Sequence, residues 1–243
     1  MCYYVSVKAK AKDFKKLAIS LDLQVELSEV PAFYSVSGFA HPKLPVITAE
    51  KKLSALRWGL IPPWTKDWDK AKVLRTQCLN CIGEEMEVKP SCSGAIKNQQ
   101  FCIVPLSGFY EWHHYGDQKY PHYIFPKEDP FFYVAGIYEQ WTNKAIDEVH
   151  HTFSIVTVAA NERMAWIHNV KKRMPNILSI NEAKLWLDTS IGFEEKKKLI
   201  KPYDQELMED YPVSRLITSR KPGDNPNSPA VMEKFEYPEL ALL

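Results

Sequence analysis

The chain has 243 residues, enough to build a buried core without disulfide or metal support. Hydrophobic residues make up 45% and charged residues 25%, which excludes a disordered or fibrous protein. Lys and Arg number 31 against 30 Asp and Glu, so a formal charge of +1 excludes a uniformly polycationic surface but leaves room for a local basic groove.

Residues 2–7 read as a strand, and residues 11–21 form a short amphipathic helix with its lysines outward. Strand candidates follow at 32–40, 53–61, 101–105, 108–112, 122–125, 131–138 and 152–159, separated by Pro and Gly. That spacing predicts a largely antiparallel sheet system. The last third turns helical. Ser179-Ile-Asn-Glu182 is a capping box ahead of Ala-Lys-Leu-Trp-Leu, and a second helix begins at Gly192. Lys196, Lys197 and Lys198 read as a solvated face of that helix, and residues 219–229 as a loop. The pattern predicts one α+β domain over residues 1–243, a curved or barrel-like, mainly antiparallel sheet with peripheral helices. The first residues lack a signal-peptide core, and no run of about 18 apolar residues occurs. A cytoplasmic chain with reduced thiols, no membrane contact and a monomeric state is expected, nucleoid-associated when bound to DNA.

Phosphate-loop, dinucleotide and zincin motifs are absent. Cys78-Leu-Asn-Cys81 is a single C-x-x-C pair, and Cys92 and Cys102 are too far apart to form its complement, so no metal site and no cofactor are expected. The pairs His113-His114 and His150-His151 alternate across a strand and are read as edge or turn residues.

Cys2 stands apart. Its small side chain makes Met1 removable, which leaves an α-amine of pKa about 7.7–8.0 beside a thiol of pKa about 8.5. Such a 1,2-aminothiol condenses with an aldehyde to a Schiff base that the sulfur then closes to a thiazolidine. The plain alternative is a small buried residue at the start of a strand. Further segments carry chemistry-bearing residues: Leu56-Arg-Trp-Gly-Leu-Ile-Pro-Pro-Trp64, then Asn80, then Val104-Pro-Leu-Ser-Gly-Phe-Tyr-Glu-Trp112 with Glu111 between aromatics. Ile167-His168 and Arg173-Met-Pro175 follow. A buried carboxyl there suits general acid–base work, and the histidine is a candidate proton carrier.

This ordered set, from Cys2 to about Pro229, resembles the SOS-response-associated peptidase (SRAP) family. The resemblance implies a single α+β domain with a positively charged groove ending at Cys2, and covalent capture of abasic sites in single-stranded DNA. It implies that Asn80 positions the Cys2 amine, Glu111 acts as acid and base, His168 shuttles a proton, and Glu84 supports the loop. Three departures stand out: Tyr3-Tyr4 replaces Gly-Arg, Ile82 replaces an arginine two residues after Asn80, and Asn-Val-Lys-Lys lengthens the turn between His168 and Arg173. Candidate DNA contacts are Trp64 and Trp68 by stacking and Arg75, Lys171, Lys172 and Arg173 by charge. Two other readings stay open: a cysteine-type peptidase with an N-terminal nucleophile, and a non-covalent single-strand binding module.

Overall fold

The computed structural model describes residues 2–8, 11–23 and 32–242. The first half runs β1 (Tyr4–Val7), α1 (Ala11–Ser20), β2 (Phe33–Ser37), β3 (Lys43–Thr48), β4 (Leu53–Trp58), α2 (Trp68–Gln77), β5 (Asn80–Ile82) and α3 (Pro90–Lys97). Four strands follow: β6 (Phe101–Leu106), β7 (Gly108–Tyr115), β8 (Gln118–Pro126) and β9 (Phe132–Asn143). The chain then forms β10 (Glu148–Ala159), α4 (Glu162–Ile167), β11 (Arg173–Pro175) and β12 (Ile177–Leu178). Last come α5 (Ile180–Leu187), α6 (Phe193–Lys197) and β13 (Met208–Pro212).

Two sheets result. In one, β10 pairs with β4, β4 with β3, β3 with β6, β6 with β9 and β9 with β10, so five strands close on themselves as a barrel. Closure removes the exposed edges that an open sheet leaves for aggregation. The other sheet is antiparallel, in the order β13-β8-β7-β1-β2. The expected α+β class and barrel-like, mainly antiparallel sheet are therefore present; the parallel pairings are those of β10 with β4 and β5. One apolar cluster runs from Cys2 to Met208. Strand β6 is buried along its whole length, which explains its unbroken apolar sequence. Phe101 meets Trp186 of α5 edge-on, with ring centroids 5.0 Å apart. No helix among the described residues is long and apolar enough to cross a membrane.

The aromatic-proline motif after β4 positions β5. Trp58 donates its indole N–H to the Leu79 carbonyl at 2.8 Å, and the Leu60 amide donates to the Cys78 carbonyl at 3.1 Å. Between them Gly59 adopts φ +114°, where a Cβ would lie 2.5 Å from the Arg75 carbonyl oxygen. Only glycine accepts both that dihedral and that approach. The end of α2 is thereby fixed, and β5 adds to β10 in parallel with Asn80 opposite Ile155.

Several expectations are corrected. Helices are not confined to the last third: α2 buries only Ala71, so its sequence shows no apolar stripe, and α3 starts at Pro90. Strand β3 was hidden by Pro45 within it. The thiols are not all reduced, because Cys81 and Cys92 are joined as a disulfide, while Cys2, Cys78 and Cys102 are free and buried. His113 is no edge residue; it is buried in β7 with Nδ1 2.7 Å from the Trp166 carbonyl. The predicted capping box at Ser179 and Glu182 is formed. Lys196 is not solvated. Its fully buried ammonium donates to the carbonyls of Leu185, Trp186 and Asp188 at 3.3, 2.7 and 2.6 Å, satisfying the end of α5. Lys196→Met removes all three charged hydrogen bonds and is expected to cost about 2 kcal/mol, read as a lower urea midpoint at unchanged m-value. An unchanged midpoint would contradict this role.

Candidate active site beside Cys2

Cys2 lies two residues before the start of β1 and is completely buried. Asn80, at the head of β5, donates Nδ2–H to the Cys2 carbonyl at 2.9 Å. Two segments 78 residues apart are thus held together by one side chain whose position is set by the pairing of β5 with β10. Asn80 is itself 5% exposed, and its Oδ1 is buried without a hydrogen-bond partner in the described structure. A buried amide oxygen without a donor is costly, and it marks a place where a ligand donor would be accepted.

Glu111 sits on β7, 4% exposed. Loss of hydration raises its carboxyl from the ordinary 4.5 to about 8, so it carries a proton at neutral pH. His168 terminates α4, 8% exposed, and burial lowers its imidazole to about 4. Its Nδ1 lies 2.9 Å from the Arg173 carbonyl, which can only accept, so Nδ1 bears the hydrogen and Nε2 the lone pair. Nε2 is 3.8 Å from Glu111 Oε2. A protonated carboxyl therefore faces a neutral imidazole nitrogen, with no net charge between them and a short path for one proton. The Cys2 thiol is pushed well above its ordinary value, first by burial and then by the negative charge Glu111 carries when ionised. The thiol is accordingly protonated at neutral pH.

The lengthened turn after His168 serves this geometry. Lys172 adopts φ +49° and its amide donates to the His168 carbonyl at 2.8 Å, which returns Arg173 to pair with Ala159 of β10. Glu84 stands at this junction as expected for a supporting residue. It accepts from both guanidinium nitrogens of Arg173 at 2.9 and 2.7 Å and from the Ala159 amide at 3.1 Å.

A cavity of about 670 Å³ opens over Tyr3, Glu111 and His168. Of the residues expected near it, Glu111, His168 and Lys171 line the cavity, while Cys2, held by Asn80, lies buried within reach of the Glu111 charge and outside the cavity lining. The others are placed differently. Trp64 is 55% exposed, with its indole N–H donating to the Pro90 carbonyl at 3.3 Å, and does not line the cavity. Trp68 is occupied by stacking on Trp141 and His150 at 5.9 and 5.0 Å, with the Arg75 guanidinium 5.2 Å from its ring. Its ring is engaged with protein. Lys172 is exposed in the turn, and Arg173 is committed to Glu84 and the Thr157 carbonyl rather than presented as a free cation. Sequence reasoning missed Tyr4, Trp112, Lys119 and Arg215, which also line the cavity. Trp112 had a signal, since it follows Glu111 directly. Arg215 had none, arriving from a turn 104 residues further on. No cluster of three or more His, Cys, Asp or Glu among the described residues is arranged to hold a metal.

Comparison with known proteins gives the family. The family described as SOS response associated peptidase (SRAP) matches residues 1–220. The abasic site processing protein YoqW of Bacillus subtilis is 35% identical over 187 residues, 76% of this chain and 78% of that protein. The abasic site processing protein HMCES of Gallus gallus is 33% identical over 192 residues, 71% of this chain and 55% of that longer protein. A crystal structure of a protein from Bacteroides thetaiotaomicron superimposes with a TM-score of 0.87 at 34% identity, covering 97% of this chain and all of that one. One from Bordetella bronchiseptica, at 20% identity and a TM-score of 0.74, shares the fold. A match over residues 1–220, with the arrangement around Cys2 described above, makes this chain a member of the SRAP family.

Proposed function

We propose that this protein captures abasic sites in single-stranded DNA covalently, through the α-amine and thiol of Cys2 after removal of Met1. The observation that carries this reading is a chain of contacts: Asn80 holds the Cys2 carbonyl, the Glu111 charge acts on the Cys2 thiol, and Glu111 faces His168 in the wall of one cavity. Relatives named abasic site processing proteins support the choice of substrate.

The chemistry balances with the groups present. The Cys2 amine attacks the aldehyde carbon of the ring-opened abasic sugar and forms a carbinolamine. Glu111, held protonated, donates to the departing hydroxyl; water leaves and an iminium remains. The Cys2 sulfur adds to the same carbon, its proton passes to the carboxylate that Glu111 has just become, and the iminium electron pair returns to nitrogen. Aldehyde plus aminothiol gives thiazolidine plus one water, and Glu111 ends in its starting state. The lone pair of His168 Nε2 relays protons between Glu111 and the sugar hydroxyls. Asn80 Nδ2 fixes the Cys2 backbone, and Oδ1 is available to accept from the amine or the sugar. A peptidase that needs a Cys2 thiolate at neutral pH draws no support from a thiol raised by burial.

On a denaturing gel, Met1-processed protein should give a heat-stable slow band with a single-stranded oligonucleotide bearing one abasic site, and none with the intact strand. Cys2→Ala should abolish the band while leaving the far-UV circular dichroism unchanged. Undiminished crosslinking by Cys2→Ala would overturn the proposal.

The pH dependence follows from two groups. Capture needs a neutral amine, with pKa about 7.7–8.0, and a protonated Glu111, so the rate should rise with pH and then fall as pH passes about 8. Glu111→Gln should slow capture about a hundredfold or more and lose the alkaline limb. Stability shows the same proton. Because the folded pKa is raised, the contribution of Glu111 is fully present below pH 4.5 and lost as pH rises through about 8. Glu111→Gln should therefore melt above the wild type at pH 9, with the difference closing at pH 4; equal melting temperatures at both pH values would contradict the raised pKa.

A further inference from the structure

The cavity above Glu111 is far larger than one aldehyde carbon and two Cys2 nucleophiles require. Its volume of about 670 Å³ is that of a pocket for a drug-sized group. Away from Glu111 and His168, its wall changes character. Tyr4 and Trp112 line it, packed edge-to-face with centroids 5.2 Å apart. Lys119, Lys171 and Arg215 line it as well, with a single further acid, Asp117. Arg215 is already fixed in place, its guanidinium 5.5 and 5.6 Å from the rings of Tyr120 and Tyr237, so a contact to it loses little side-chain freedom.

Resting on the proposed capture of abasic DNA, we infer that this part of the cavity is a subsite for the nucleotide next to the abasic position. Its base stacks on the Tyr4 and Trp112 wall, and its phosphate lies between Lys171, Lys119 and Arg215. The chemistry of the wall and of a nucleotide is complementary. A strand whose abasic sugar reaches Glu111 must place its next residue close by, and a cavity lined by both an aromatic pair and three cations is what a flat base carrying a phosphate requires. An abasic residue offers no base to stack, so grip on the strand has to come from a neighbour. Position 4 acts here as an aromatic surface, with the cations supplied from the β7–β8 hairpin, the turn before β11 and the segment after β13. Trp64 and Trp68, outside this cavity wall, are not needed for it.

Equilibrium binding tests the subsite without any covalent step. Wild-type protein is titrated, by fluorescence anisotropy, into single strands carrying a tetrahydrofuran abasic analogue, which has no aldehyde. The neighbouring nucleotide is either intact on both sides or replaced by the same analogue on the 5′ side or the 3′ side. Loss of the base on one side should weaken binding about tenfold, and loss on the other should change nothing, as expected for one stacked base. Tyr4→Ala should cause the same tenfold loss on the intact strand and no further loss on the sensitive base-less one. Arg215→Ala should weaken binding and reduce the salt dependence by about one counterion. Equal affinity for all three strands, equal loss on both sides, a Tyr4→Ala effect independent of the neighbouring base, or no binding at all would overturn the subsite. The capture reading is scored separately, by the mass of Met1-processed protein incubated with 2-deoxyribose 5-phosphate, an aldehyde with no neighbour.

Discussion

Glu111 lies on a strand between Tyr110 and Trp112, 4% exposed, and the chemistry of the site depends on that burial. Deprived of water, its carboxyl holds a proton to about pH 8 and faces the lone pair of His168 Nε2 across 3.8 Å. A hydrated carboxylate at this position would be ionised at neutral pH and unable to assist loss of water from a carbinolamine. The same burial raises the Cys2 thiol, so in the proposed capture the sulfur attacks as its proton passes to Glu111. Such a carboxyl is a cost to the fold above neutral pH, which is the usual relation between a strained site and its scaffold.

The scaffold is organised to hold this group and its neighbours still. Asn80 reaches Cys2 because β5 is pinned between β10 and the end of α2, and that end is fixed by the close approach at Gly59. His168 holds its tautomer because Arg173 presents its carbonyl, and Arg173 stays in register because Glu84 binds its guanidinium. Asn80 and His168 thus each rest on a second interaction tied to the barrel strand β10, through its pairing with β5 and with β11.

Much of this was legible in the sequence, for physical reasons. Period-two strands and an unbroken apolar run at 101–106 reveal a buried sheet, and Ser179 with Glu182 announces a helix start. Cys2 stood out as a potential amino-terminal aminothiol and Glu111 as a carboxyl between two aromatics, while Asn80 and His168 stood out through the family resemblance of their segments. Charge was less legible. Lys196 in a Lys-Lys-Lys run looks solvated, yet the open carbonyls at the end of α5 draw its ammonium inside. Arg173 looks available for a phosphate until Glu84, 89 residues away, is seen beside it. Trp68 looks free until the fold brings Trp141 and His150 against its ring. Long-range partners decide whether a cation or an aromatic ring is free, and one-dimensional spacing does not encode them.

The central claim is that both Cys2 nucleophiles finish on one carbon of the abasic sugar. Mass mapping of the amino-terminal peptide, after crosslinking to a short abasic strand and treatment with iodoacetamide, tests it most directly. The account predicts the mass of peptide plus sugar fragment less one water, with no carbamidomethyl group on Cys2, because the sulfur is already bonded. An adduct whose Cys2 thiol is still alkylated would mean that the amine alone reacts, and a Cys2 peptide of unmodified mass would mean that the DNA is held elsewhere.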